Sequence, residues 1–133
     1  MKLITKNTDY AIRALLFMAK KKDKMWTVLK LAKDLKIPKA FLRKIFQMLN
    51  KEKIIASYKG KNGGFKLTLQ EDKILFIDLI KIFQGPINIV DCAVRTKLCP
   101  DMKKCILKGK LKKIENYIAS ELKSITIKSL LEK

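Results

Sequence analysis

The sequence predicts a mainly α-helical chain with one small β-hairpin, and three observations carry that reading. Two short amphipathic runs, TVLKLAKDLK and PKAFLRKIFQMLNKEK, meet at Ile37 and Pro38. An alternating stretch with glycines at its centre, IIASYKGKNGGFKLTL, follows directly. A long segment with one apolar stripe, KKCILKGKLKKIENYIASELKSITIKSLLEK, closes the chain.

Residues 8–20, TDYAIRALLFMAK, predict the first helix, with Thr8 as N-cap. Ile12, Leu15, Leu16 and Ala19 form a broad apolar face that Tyr10, Ala11, Ala14, Phe17 and Met18 widen. A helix this apolar belongs at the centre of the core or against a partner. Asp9 falls in its first turn, where an acid suits the positive end of the helix dipole. Lys20 to Lys24 is a charged loop. Residues 27–36 predict a second helix with Thr27 as N-cap and Leu31, Ala32 and Leu35 inward. Pro38 suits the first position of a third helix. There Leu42, Ile45, Phe46 and Leu49 face inward, while Lys39, Arg43 and Gln47 step by four along the other side with Lys44 and Lys51 nearby.

In the hairpin, Ile55, Ser57 and Lys59 alternate with Ala56 and Tyr58. After the turn, Phe65, Leu67 and Leu69 alternate with Lys66 and Thr68. Gly60, Asn62, Gly63 and Gly64 tolerate the positive φ of a tight tip, and Lys59, Lys61 and Lys66 charge it. Residues 71–84 predict a further helix stopped by Gly85-Pro86. Residues 87–104 have weak periodicity. In the last segment Leu107, Leu111, Ile114, Ile118 and Leu122 form one narrow stripe suited to a helix–helix interface. Ser124 to Ile127 reads as a break before a short terminal helix.

Two helices joined by a tight turn, the second with an outward Arg/Gln/Lys stripe, have the layout of a DNA-reading helix-turn-helix. The basic hairpin after them is a wing, placed to touch phosphates or the minor groove. Within that layout Arg43 would read a guanine edge and Gln47 an adenine edge. Lys39, Lys44, Lys59 and Lys61 would anchor phosphates, with Asn62 beside them at the tip. The formal net charge of +19 supports a nucleic-acid partner, and it is lopsided. Residues 1–70 carry 18 Lys and Arg against 4 Asp and Glu. An anionic membrane would instead require a basic helix with an exposed aromatic face, and no segment shows one clearly. No apolar run approaches the roughly 20 residues that span a bilayer. The start lacks the apolar region of a signal peptide, so a cytoplasmic location is expected. With no His, no nucleophile–base pair and no phosphate-binding glycine loop, an enzyme is not expected. Helix-turn-helix proteins usually read two half-sites as dimers, which assigns the long last helix to homodimerisation.

Cys92, Cys99 and Cys105 are confined to 14 of 133 positions. In a cytoplasmic chain they are not expected to be structural disulfides, and their confinement favours ligands over packing. Thiolates suit zinc, copper(I) or iron–sulfur clusters. Zinc sites with three Cys usually recruit a His, which this chain lacks. Three Cys also fall short of a four-Cys cluster, so the site needs a non-Cys ligand or one lent by a partner. Asp91 and Asp101 are near in sequence, and Asp9 is available through the fold. An electron carrier would explain the Cys but not the basic reading head, and a basic RNA-binding protein would explain the charge but not the Cys.

Taken in order, these features resemble the Rrf-two family of bacterial winged-helix regulators, which includes the IscR-type and NsrR-type iron–sulfur regulators. The likeness runs from MKLITKNTDYAIRALLFMA through VLKLAKDLKIPKAFLRKIFQMLNKEKII to the wing YKGKNGGFKL, the three Cys and the ITI-x-x-L close. It implies a homodimer that binds double-stranded promoter DNA and carries one cluster per subunit. It places the cluster ligands on Cys92, Cys99 and Cys105. The gap between the first two is one residue longer than in the best-known members. IscR-type members place a His where Lys108 stands here. NsrR-type members use an Asp of the first helix from the other subunit, and the matching residue is Asp9. Such a ligand set favours a 4Fe-4S cluster over 2Fe-2S. The organisation implied is a DNA-binding domain at 1–84, a cysteine-containing cluster-binding loop at 85–106 and a dimerisation helix with terminal segment at 107–133, in one compact unit. The expected function is transcriptional regulation, as a repressor, switched by a cluster sensitive to redox state or nitric oxide. The alternative is a cluster-free regulator of the same family that senses a small molecule or a partner protein.

Overall fold

The computed structural model describes residues 3–21, 24–89 and 106–132. Helix α1, Lys6–Lys20, is the central element. Its Ala11, Ala14, Leu15 and Met18 are buried, and it packs on helices from both halves of the chain. The helix starts two residues before Thr8, so Thr8 is not its N-cap. The backbone N–H of Asp9 already reaches the Thr5 carbonyl at 3.0 Å. Thr8 is buried inside the helix, and its hydroxyl donates to Gln84 Oε1 at 2.6 Å. The same oxygen accepts the Thr5 N–H at 2.8 Å, and Gln84 Nε2 donates to the Leu3 carbonyl at 3.1 Å. A tertiary acceptor has claimed the hydroxyl that local pattern would assign to a cap.

Helix α2, Val28–Leu35, is capped as its sequence predicts, with Thr27 Oγ1 accepting the Lys30 N–H at 3.1 Å. Lys36 adopts a left-handed conformation, φ 57° and ψ 40°, and turns the chain within two residues. Helix α3, Lys39–Lys51, then buries Leu42, Ile45, Phe46 and Leu49. Pro38 is the cap of α3 rather than its first residue: its ψ of 132° is extended, and its carbonyl accepts the Leu42 N–H at 3.1 Å. The helix stops short of Lys53, which takes a φ of 61° and returns the Ile54 N–H to the Leu49 carbonyl.

Strands β1, Ile55–Tyr58, and β2, Gly64–Leu67, pair antiparallel with Ile55 opposite Leu67 and Tyr58 opposite Gly64. The expected in–out alternation holds only at the base. Ile55 is buried, Ser57 and Tyr58 are both exposed, and β2 is half-buried throughout. The hairpin's outer half leaves the core, so both faces meet solvent there. Trp26 adds a one-residue third strand: its N–H donates to the Phe65 carbonyl at 2.9 Å and its carbonyl accepts the Phe65 N–H at 2.7 Å.

The single helix expected over 71–84 is broken. A 3-10 turn, Glu71–Lys73, precedes α4, Phe76–Gln84, and Ile74–Leu75 between them are extended. The competitor lies about fifty residues away in sequence. The Phe76 N–H donates to the Ile125 carbonyl at 2.9 Å, and the Ile127 N–H donates to the Ile74 carbonyl at 3.0 Å. Gly85, at φ +86°, ends α4 as predicted. Helix α5, Ile106–Lys123, and helix α6, Ile127–Leu131, are separated by the expected break. Thr126 and Ser129 close a reciprocal capping box on α6, Ser129 N–H to Thr126 Oγ1 at 3.0 Å and Thr126 N–H to Ser129 Oγ at 2.9 Å. The single stripe expected on α5 divides into two faces. Leu122 is buried and Leu111 and Ile118 half-buried, whereas Leu107 and Ile114 are exposed together with Ile106 and Tyr117. Among the described residues, Leu107 and Ile114 have no neighbour that covers them.

Candidate nucleic-acid interface

On α3 the inward and outward residues separate cleanly. Lys39, Arg43 and Gln47, with Lys44 and Lys51, are exposed, and the four apolar residues on the other side are fully buried. The face is held rigid from behind. Phe46 of α3 meets Phe65 of the wing edge-on, ring centroids 4.9 Å apart. Phe41, near the start of α3, meets Tyr10 of α1 at 6.1 Å. Edge-to-face pairs of this kind add about 0.5–1.5 kcal/mol each beyond area burial. The recognition helix, the wing and the central helix are therefore tied to one another by ring contacts.

The wing tip spans the five residues from Lys59 to Gly63, closed by the Gly63 N–H donating to the Gly60 carbonyl at 3.0 Å. Lys59, Lys61 and Asn62 are exposed there. Lys66 is half-buried on β2 and has a partner, so it belongs to the wing's base rather than its tip. Every residue assigned to DNA contact from sequence is solvent-accessible. Tyr58, Lys30, Lys33 and the 65% exposed Leu29 are also solvent-accessible and were not singled out from sequence. Lys30 and Lys33 sit on the exposed positions of α2, and its helical period could have flagged them. Tyr58 was hidden by the assumption of strict strand alternation.

The proposed cluster ligands Cys92, Cys99 and Cys105 lie outside the described residues, as do Asp91 and Asp101. Among the described residues no three His, Cys, Asp or Glu converge into a metal-holding group. Asp9 is described. It lies in the first turn of α1 with 46% of its side chain exposed, and its Oδ2 is 3.1 Å from Arg13 Nε on the next turn. Lys108 lies in the first turn of α5, so the position of an IscR-type His is held by a cation. No helix among the described residues is long and apolar enough to cross a membrane.

Comparison with known proteins bears on this geometry. The sequence pattern of the Rrf2 family, described as iron-dependent transcriptional regulator, matches residues 4–133. An HTH-type transcriptional regulator of Aquifex aeolicus (strain VF5) is 33% identical over 124 residues, covering 92% of this chain and 86% of that protein. Among solved structures, CymR (YrzC), the global cysteine regulator of B. subtilis, superposes with a TM-score of 0.81 at 22% identity, covering 98% of this chain and 97% of that one. The IscR of T. potens superposes with a TM-score of 0.76 at 20% identity, covering 99% and 87%.

Proposed function

The chain belongs to the Rrf2 family of transcriptional regulators, and on that premise we propose that it is a homodimeric, operator-binding repressor switched by an iron–sulfur cluster. The observation that carries the DNA-reading part is the outward face of α3. Arg43 and Gln47 reach base edges from it, and Lys39 and Lys44 set the register by binding phosphates. Lys59, Lys61 and Asn62 hold the flanking backbone from the wing. The wing is fixed to α3 by the Phe46–Phe65 contact, so both elements dock as one body.

Dimerisation falls to the exposed face of α5. Ile106, Leu107, Ile114 and Tyr117 present an apolar row with no covering element among the described residues. A second copy related by a two-fold axis would cover it and fix the separation of two recognition helices. Residues 1–84 then act as reading head, 85–106 as cluster-binding loop and 107–133 as dimer arm.

The donor set fits a cluster. Three soft thiolates, Cys92, Cys99 and Cys105, suit iron, and no His competes for the fourth position. Asp9 supplies a hard, exchangeable fourth ligand. Its carboxylate is half exposed, and its ion pair with Arg13 is a surface pair, worth about 0–1 kcal/mol and cheap to exchange. Bound there, a cluster supplies a centre that oxidants and nitric oxide attack. This chain's own residues carry the consequence inward. Thr8, adjacent to Asp9, is hydrogen-bonded to Gln84, the last residue of α4. A change at the first turn of α1 therefore acts on the residue from which the cysteine segment departs.

The deciding experiment is anaerobic purification followed by visible absorption with iron and acid-labile sulfide analysis, on wild type and Asp9→Ala. A brown wild type, bleached by air or nitric oxide and destabilised by Asp9→Ala, supports the cluster switch. A protein that stays colourless after reconstitution leaves DNA binding in place and moves sensing to a cluster-free mechanism.

A further inference from the structure

The base of the wing holds a second concentration of charge, on lysines other than those assigned to DNA contact from sequence. A cavity of about 190 Å³ opens between the end of α1, the segment before α2 and the strand that follows the wing tip. Its walls include Met18, Lys21, Lys24, Trp26, Lys66 and Glu71. Trp26 is only 1% exposed, yet three ammonium groups gather over its indole. Lys24 Nζ lies 4.9 Å from the ring centroid, Lys30 Nζ 5.2 Å and Lys21 Nζ 5.8 Å. Each gains a cation–π contact, but like charges at this spacing oppose one another. Glu71 is the one carboxylate in the described lining, and it already has a partner.

Two further observations point to a missing anion. The buried Nε1–H of Trp26 has no hydrogen-bond acceptor among the described residues, which is costly for a donor removed from water. Thr27, the next residue, caps α2, so the positive end of that helix dipole faces the same region. Hydrogen bonding to Lys30 and the charge of that neighbour, with Lys21 adding to it, hold the Lys24 ammonium below the ordinary lysine range, although the Asp34 carboxylate pulls the other way.

We propose that Lys21, Lys24 and Lys30, gathered over the Trp26 indole at the base of the wing, form an oxyanion site that takes a phosphate group. The phosphate comes either from the backbone of bound DNA or from a free small anion. An occupied site relieves the repulsion among the three ammonium groups. It also acts on the wing, because the Trp26 backbone is hydrogen-bonded in both directions to Phe65 of β2. Occupancy thus stiffens the junction that sets the wing against α3.

Trp26 is the only tryptophan in the chain, so its emission reads the site directly. The full-length protein is titrated with sodium phosphate and, at matched ionic strength, with sodium chloride. A saturable phosphate-specific change is expected, its midpoint weakened at least about fivefold in Lys24→Gln and in Lys30→Gln, as for loss of one charge-assisted hydrogen bond. Lys33→Gln, exposed on α2, should titrate like wild type. A second arm adds a duplex of unrelated sequence at fixed salt. A change with duplex but none with inorganic phosphate, weakened in the same two variants, also supports the site and assigns its phosphate to DNA. No change in either arm, or identical midpoints in wild type and both variants, overturns the proposal.

Discussion

Gly64→Ala tests how the wing is joined to the body. Gly64 has a φ of +154°, and a Cβ there would stand 2.7 Å from the Trp26 carbonyl oxygen and 3.1 Å from its carbon. The obstacle is backbone, and that same oxygen accepts the Phe65 N–H at 2.7 Å, so it cannot swing aside. Two costs add. Strain at a φ that side chains rarely adopt is about 1–3 kcal/mol. Opening the two Trp26–Phe65 hydrogen bonds costs about 0.5–1.5 kcal/mol each. Gly60→Ala is the matched control: its φ is +115°, but nothing lies within 4 Å of the added carbon. It should show the strain alone. Urea unfolding of the two variants should therefore differ by about 1–3 kcal/mol, from a total of about 5–15 kcal/mol for a domain of this size. The tilted wing of Gly64→Ala should also flatten the salt dependence of non-specific DNA binding, by up to about two in slope if Lys59 and Lys61 both lose their phosphates. Equal losses of stability within about 0.5 kcal/mol would refute the idea that the Trp26–Phe65 ladder positions the wing.

Arg43→Ala should abolish discrimination between operator and random duplex in fluorescence anisotropy, at about 1–3 kcal/mol, whereas Lys61→Ala should weaken both equally and reduce the salt slope by about one. Equal loss on both duplexes from Arg43→Ala would remove Arg43 from base reading. Thr27→Ala should lower stability by about 1 kcal/mol through the lost cap on α2, read as a shift in the urea midpoint at unchanged slope. Ile114→Glu places a charge in the exposed row of α5, and sedimentation should find a folded monomer with weakened operator binding. A persistent dimer would place the dimer interface elsewhere.

The outward face of α3 was legible because its information is local. Four-residue steps put Lys39, Arg43 and Gln47 on one side, and the buried residues lie within the same thirteen-residue helix. The hairpin was legible for the same reason, since Gly60, Gly63 and Gly64 bracket its tip. What was hidden is set by distant partners. EDKILFIDLI has a helical pattern, yet Ile74 and Leu75 are drawn into an extended pairing with Thr126 and its neighbours. Thr8 suits a cap by local pattern, but the helix begins at Lys6 and the distant Gln84 takes the Thr8 hydroxyl. Trp26 pairs with the wing through one residue, too short a strand for any period to reveal. The stripe on α5 divides because α4 covers only part of it. Cys92, Cys99 and Cys105 were singled out by residue type and confinement alone, and they lie outside the described residues. Asp9 drew attention through family likeness, since its place in a first turn is equally that of a dipole-balancing acid.

The pairing of residues 74–76 with 125–127 has an evolutionary consequence. It is a seam, closing a loop of roughly fifty residues that contains the whole cysteine segment. The entropy of closing such a loop grows only with the logarithm of its length, so even a doubling costs about 0.6 kcal/mol. One residue gained or lost between Ile89 and Ile106 changes that cost by far less. The backbone bonds at Ile74, Phe76 and Ile127 hold the reading head together irrespective of how many residues run between the two sides. Spacing within the cysteine segment can therefore drift while the DNA-binding body stays intact. A lineage can vary that segment without rebuilding the winged helix.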